Sequence, residues 1–374
     1  MSTKKTLEEA AREQELAKLQ SLEGSVRNLR SENKRLMKQI GNWNTLTGEF
    51  VARAPSLPKP RKPRLTAKPA KRSQEVVALL SDSHFNSRWT RDKTDGATEY
   101  NFDIGCEHLW YYGQEILRVT EEDRGKYGLK RLHVDMLGDI FHGTLRVEDE
   151  VTNEFPSTPG LINTAWVLWQ WLSLLAEHFE EVVVHGMAGN HGRNHQKPQS
   201  KRYVEENKDT LIYLMLQKFS KAARMDKRVR VIVPKSRTHM VERLGHRVKI
   251  GHGDHIRGGN SIAGLPIYGL SRDLLRSFRQ EIKQVQEKKG IDLIQFGHWH
   301  QYSMLENTLI INGALTPTDP YAYDSLGAWA DPCQLVYYTS REHVIGWSCP
   351  FSVKYGAGKG HKFAYDRDIQ EAQS

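Results

Sequence analysis

Nine residues of types that can bind metal or move protons stand just after apolar runs in this chain. They are Asp82 and His84 in LSDSH, Asp139 and His142 in LGDIFHG, Asn190 and His191 in AGNHG, His252 in IGHGD, and His298 with His300 in FGHWH. The chain has 16 histidines, so one such cluster alone would say little. Five in series, all of oxygen or imidazole type, point to a metal centre. Aspartate oxygens, an asparagine carbonyl and imidazole nitrogens suit borderline divalent ions, Mn²⁺ ahead of Fe²⁺ or Zn²⁺. The donors are too many for one tetrahedral site. Two ions about 3.5–4 Å apart, bridged by a carboxylate, would use them all and would activate water against a phosphorus centre.

The elements that must position these residues alternate. EVVALL, RLHVDM and EVVVHG read as buried strands, and the segments IGCEHLWYYGQEILRVTEE, LINTAWVLWQWLSLLAEHF and DTLIYLMLQKFSKAA read as the helices between them. VRVIVPK, THMVERLG, HRVKIGHGD, IDLIQFGHWH, TLIINGAL, CQLVYYTS and HVIGWSC read as later strands, with a helix in LSRDLLRSFRQEIKQVQEK. This predicts an α/β fold with more than one sheet. The most apolar window, residues 161–179, carries Asn163, Gln170 and Glu177 and is expected to be a core helix around Trp166, Trp169 and Trp171, not a membrane span.

D-x-H, G-D-x-x-H, G-N-H, G-H-G and G-H-x-H, in that order, resemble the calcineurin-like metallophosphoesterases over roughly residues 75–350. The resemblance implies two packed mixed β-sheets flanked by helices. It also implies ligand sets: Asp82, His84, Asp139 and His300 for one ion, and Asp139 as the bridge with Asn190, His252 and His298 for the other. His191 would protonate the leaving oxygen or steady the phosphate. Two positions depart from the common pattern. Gly192 stands where many members carry Asp or Glu, and His142 stands where the protein phosphatases of the family carry Asp. A histidine there is similar to the SbcD-type DNA repair nucleases, and places His142 with His191 as a catalytic candidate. The segments DGATEYNFDI, GNHGR, HGDHIRGGNSIAG and NGAL also resemble members encoded by tailed bacteriophages. Arg193 and Arg257, close to ligands in sequence, are candidates for clamping phosphate oxygens.

The charge is unevenly placed. Residues 1–72 hold 17 Lys and Arg against 7 Asp and Glu, while the remainder holds 37 against 38. The basic excess therefore belongs to the N-terminal arm, which can hold phosphate backbones without reading sequence. Leu19, Leu22, Val26, Leu29, Asn33, Leu36 and Ile40 follow a 3-4 spacing with Asn33 at an a position, which predicts a short parallel coiled coil and a homodimer. The expected organisation is an N-terminal helix (1–41), a basic Pro-rich linker (42–74), a catalytic domain (75–350) and a tail (351–374). Three scattered cysteines argue against a disulfide framework and for a reducing compartment, the cytoplasm, or a host's cytoplasm for a phage-encoded protein. The expected function is a two-metal nuclease acting on DNA. The alternatives are a nucleotide phosphodiesterase or broad phosphomonoesterase, which the near-neutral body favours, and a non-catalytic coiled-coil scaffold, which the intact donor set opposes.

Overall fold

A computed structural model describes residues 73–144, 152–194, 202–256, 265–273, 275, 290–327 and 329–367. The expected coiled coil, almost all of the basic linker, Arg257 and most of the helix expected after residue 270 lie outside them.

The first half of the fold is a run of βαβ units. β1 (Glu75–Leu80), β2 (Arg131–Met136), β3 (Glu181–Gly186) and β4 (Val229–Ile232) are joined through α1 (Phe102–Asp123), α2 (Ser157–Ala176) and α3 (Lys208–Ala222). The four strands are mutually parallel, and β1, β2 and β3 end in register at Leu80, Met136 and Gly186. Their near-continuous burial is what a parallel sheet covered on both faces requires. β10 (Cys333–Thr339) pairs antiparallel with β1, and β11 (Trp347–Ser352) with β10, giving the order β11-β10-β1-β2-β3-β4.

A second sheet, ordered β5-β6-β7-β9-β8, is also mixed. It comprises β5 (Thr238–Arg243), β6 (His246–Gly251), β7 (Leu293–Phe296), β8 (Ser303–Leu305) and β9 (Leu309–Ile311). Val77, Leu79, Leu335 and Tyr337 of the first sheet share one buried cluster with Val241, Val248, Ile250, Leu293 and Ile310 of the second. The architecture is thus the expected pair of packed mixed sheets with flanking helices. Trp169 and Trp171 of α2 are fully buried, and among the described residues no helix is long and apolar enough to cross a membrane.

The two sheets are also joined by a buried polar bridge. Arg243 of β5 donates from Nη2 to Oδ2 of Asp135 on β2 at 2.6 Å and from Nη1 to the Tyr337 hydroxyl at 3.1 Å. His185 of β3 bonds the same carboxylate at 3.0 Å. Both Arg243 and Asp135 are buried, and the guanidinium and His185 hold the Asp135 carboxyl well below its usual range despite its burial.

After β11 the chain stays against the body through the last described residue, Arg367. Gly358 and Gly360 donate their N–H groups to the Glu107 carboxylate, and Tyr365 and Arg367 bond Asp103 at the start of α1.

Candidate metal centre

The candidate ligands stand beyond the carboxyl ends of the strands, where open parallel sheets present ligands. Beyond Leu80 and Met136 the pairing of β1 with β2 continues through the loops. Asp82 donates its N–H to the Gly138 carbonyl, and His84 to that of Asp139, each at 3.0 Å. These bonds fix Asp82, His84 and Asp139 as neighbours on one rim.

Of the seven expected metal ligands, Asp82, His84, Asp139, His298 and His300 all adopt positive φ, between 42° and 76°. A non-glycine residue there costs roughly 1–3 kcal/mol, and such strain is kept where the surroundings over-determine it, commonly at functional sites. Two glycines show why the loops can close so tightly. A Cβ on Gly189 would lie 2.2 Å from an Asp139 carboxylate oxygen, and one on Gly297 2.5 Å from an Asp82 oxygen. The glycine in each of G-N-H and G-H-x-H is thus the space into which a neighbouring carboxylate fits.

The ligand atoms gather in two groups. In the first, His84 Nε2 lies 3.2 Å from His300 Nε2, and His300 Nε2 lies 3.4 Å from Asp82 Oδ1. In the second, His252 Nε2 lies 3.0 Å from Asp139 Oδ2 and 2.9 Å from Asn190 Oδ1, and His298 completes the group. His252 Nδ1 donates to the Leu137 carbonyl at 2.8 Å, so Nε2 is the ring atom turned to Asp139 and Asn190, and an ion bound there would displace its proton.

The electrostatics divide the same residues. Burial, reinforced by neighbouring histidines, pushes His84 well below the ordinary imidazole range, and burial with His252 nearby pushes His298 down to about 4. Both are therefore neutral at pH 7, with lone pairs to offer. Burial disfavours the charged form of His252, but the Asp139 carboxylate overrides it and pushes that group up to about 10. The donor set fits divalent cations. Close-packed imidazole nitrogens beside buried carboxylates are costly without a cation or proton among them, and the mixture of N and O donors matches Mn²⁺, Fe²⁺ or Zn²⁺.

The two candidate proton carriers stand at the edge of the first group. His142 Nδ1 lies 3.1 Å from His84 Nδ1, and the His191 ring is 4.7 Å from that of His84 and 4.9 Å from that of His142. The backbone N–H of His191 donates to Asp139 Oδ1 at 2.7 Å. His84, His142 and His191 also form a third group whose ring nitrogens converge within 4.8 Å. Arg193 pairs through its backbone with Asn207 and is absent from the lining of the cleft over the metal centre.

Sequence reasoning passed over Asp209. Its fully buried carboxylate accepts N–H bonds from Asp139 and Gly189 at 2.9 Å and from Phe141 at 3.1 Å, and so ties two ligand loops to the start of α3. Burial, with the Asp139 carboxylate nearby, pushes it up to about 7. Asn207 caps the same helix and donates to the Gly189 carbonyl at 2.7 Å, filling the space beside Gly192, where a Cβ would lie 2.2 Å from Asn207 Oδ1. In the sequence, NKD before an amphipathic stretch reads as an ordinary helix start, and nothing in it marks a carboxylate aimed at metal loops.

The cleft above the centre encloses about 880 Å³. Its floor includes Asp139, Asn190, His191, His298 and His300.

No family model matches the chain, and no curated protein matches it. Solved structures do. The calcineurin-like phosphoesterase YfkN from Bacillus subtilis is 11% identical, with a TM-score of 0.31, over 81% of this chain and 97% of that one. The phosphoesterase Yfce from E. coli is 12% identical, with a TM-score of 0.29, over 74% and 99%. Vacuolar Protein Sorting 29 from Cryptosporidium parvum is 11% identical, with a TM-score of 0.31, over 75% and 99%. At such identities and TM-scores the likeness fixes neither substrate nor reaction.

Proposed function

We propose that this chain is a two-metal phosphodiesterase acting on nucleic acid, DNA in the first instance. The observation that carries the proposal is the pair of donor groups on one strand-end rim, Asp82, His84 and His300 beside Asp139, Asn190, His252 and His298. Two divalent ions held there would supply Lewis acidity at the phosphoryl oxygens and lower the pKa of water. The chain's own residues do the rest. Asp139 Oδ2 meets His252, Oδ1 takes the His191 N–H, and the carboxylate acts electrostatically on His84 of the first group, so it is the bridging candidate. The His191 ring, half-buried at the cleft floor, can hand a proton to a leaving alkoxide. An Nδ1–H on His84 accepted by His142 would leave His84 Nε2 for an ion, so His142 would orient a ligand as well as face the phosphate.

The basic arm supports a polyanionic substrate, Asn33 in its short heptad run supports a parallel homodimer, and the three scattered cysteines support a reducing compartment, the cytoplasm. The second enzyme reading, a small-nucleotide phosphodiesterase, keeps one supporting fact: residues 73–374 carry 37 basic against 38 acidic side chains, whereas a nuclease commonly has a basic track. Turnover of linear DNA, bis-p-nitrophenyl phosphate and p-nitrophenyl phosphate, with Mn²⁺ and with chelator, separates the readings. The proposal expects Mn²⁺-dependent cleavage of DNA and the diester. Preference for the monoester, or no turnover of any substrate, would overturn it.

A further inference from the structure

The cleft is far larger than a phosphate needs. Its volume of about 880 Å³ lies near the top of the roughly 300–1,000 Å³ range of small-molecule sites, so it has room for the groups that flank a phosphate. Its walls are of two kinds. Arg88 and Lys93 bring positive charge, and Trp299 and Tyr321 bring flat rings. The carboxylates lining the same space are Asp139 and Asp319. Asp139 belongs to the metal centre, and Asp319 caps a helix by accepting the Ala322 N–H at 2.8 Å. Lys93 also faces Asp92 at 3.7 Å, so the wall outside the ion groups owes its positive charge chiefly to Arg88, with Lys93 in support, and this suits an anion's phosphate.

The aromatic residues are held in place. The Trp299 ring stands edge-on to that of His298, centroids 5.2 Å apart. It lies over Gly253, whose φ of +116° and missing Cβ make room, since a Cβ there would come within 2.8 Å of the indole. A planar group resting at Trp299 would thus be one residue from a metal ligand. Tyr321 lies in the first turn of α4 (Pro320–Leu326), and 52% of it is exposed. The same helix bonds the turn Arg91–Thr94 region through the Tyr323 hydroxyl and Asp95 at 3.2 Å, so the ring and Lys93 come from elements tied together.

Resting on the phosphodiesterase reading of this site, we propose that Trp299 and Tyr321, flanked by Arg88 and Lys93, form a subsite for an unpaired nucleobase next to the scissile phosphate. Stacking on aromatic rings in an electropositive groove is how single strands are held without sequence preference. A base inside a duplex has both faces covered by its neighbours. The substrate class is therefore single-stranded DNA, a frayed end, or a nucleotide diester.

The test uses the full chain with Mn²⁺ and two chromogenic diesters, the p-nitrophenyl ester of thymidine 5′-monophosphate and methyl p-nitrophenyl phosphate. Wild type is expected to favour the thymidine ester in kcat/KM, and an oligonucleotide as a single strand over the same sequence as a duplex. Tyr321→Ala should reduce the thymidine-to-methyl ratio roughly ten-fold through KM, and Tyr321→Phe, which keeps the ring, should retain it. Equal kcat/KM for the two esters in wild type, with a ratio unmoved by Tyr321→Ala, overturns the subsite and leaves the phosphodiesterase reading standing. A wild type that cleaves neither diester overturns both.

Discussion

The nitrogen and oxygen atoms of single side chains decide the chemistry, and His191 is where the account is most exposed. Its backbone N–H holds Asp139 Oδ1, while its ring shares a corner with His84 and His142. As a proton donor it is dispensable for metal. His191→Ala should therefore keep both ions and lose roughly 10²–10⁴ in turnover, the usual scale for a lost general acid. Elemental analysis beside the kinetics checks this, and a variant short of one ion would make His191 a ligand. At this scale the site was legible because its residue types are rare together: D-x-H, G-D-x-x-H, G-N-H and G-H-x-H each end an apolar run, and all bring their side chains to one rim. Asp209 was not legible, because its role depends on three N–H groups from loops up to 70 residues distant. The left-handed backbone of Asp82, His84, Asp139, His298 and His300 is likewise a property of the folded loops, not of residue type.

At the scale of elements, the parallel strands and their crossover helices followed from periodicity, and the short pieces did not. β8 has three residues, and α4 has seven beginning with Pro320, too short for a pattern to emerge. The strand read in HVIGWSC stops at Cys349, whereas β11 runs on through Pro350 to Ser352. It is the outermost strand of its sheet, where a missing N–H is tolerated. The bridge between the sheets is equally hidden, since Arg243 and Asp135 are 108 residues apart. Arg243→Met leaves the Asp135 carboxylate buried without its cation and should destabilise the protein by about 3–5 kcal/mol. The paired change Arg243→Met with Asp135→Leu should recover much of that loss. Urea unfolding of the three proteins measures both, and a single variant as stable as wild type would remove the bridge from the account.

Across the whole molecule, charge bears on stability and on the proposed polyanionic substrate. His133 is buried on β2, 2.9 Å from Glu75, and burial pushes it down to about 4 against the pull of that carboxylate. An unfolded histidine titrates near about 6.5, so between about pH 6.5 and 4 the unfolded chain binds more protons and stability falls as pH falls. A shift of this size is worth about 3 kcal/mol over that window. His133→Asn should flatten the acid limb of stability against pH by about one proton, and an unchanged slope would contradict it. The proposed role of the N-terminal arm is to hold the substrate. Deleting residues 1–72 removes 17 basic and 7 acidic side chains. Turnover of bis-p-nitrophenyl phosphate should persist, while DNA binding should weaken and lose salt dependence, because fewer counterions are released. Binding measured across a salt series decides whether the arm holds DNA at all.

The central claim is that Asp139 joins two ions in one centre, and the most direct test is the stoichiometry of Mn²⁺ on the full-length chain. Titration calorimetry with elemental analysis on the metal-stripped protein should find two tight Mn²⁺ per chain, with phosphodiesterase activity returning in step with their loading. In Asp139→Asn both should weaken together and activity should fall by several orders of magnitude, with the fold kept. A single ion per chain in wild type, or an Asp139→Asn variant that retains two ions and near-wild-type turnover, would contradict the account.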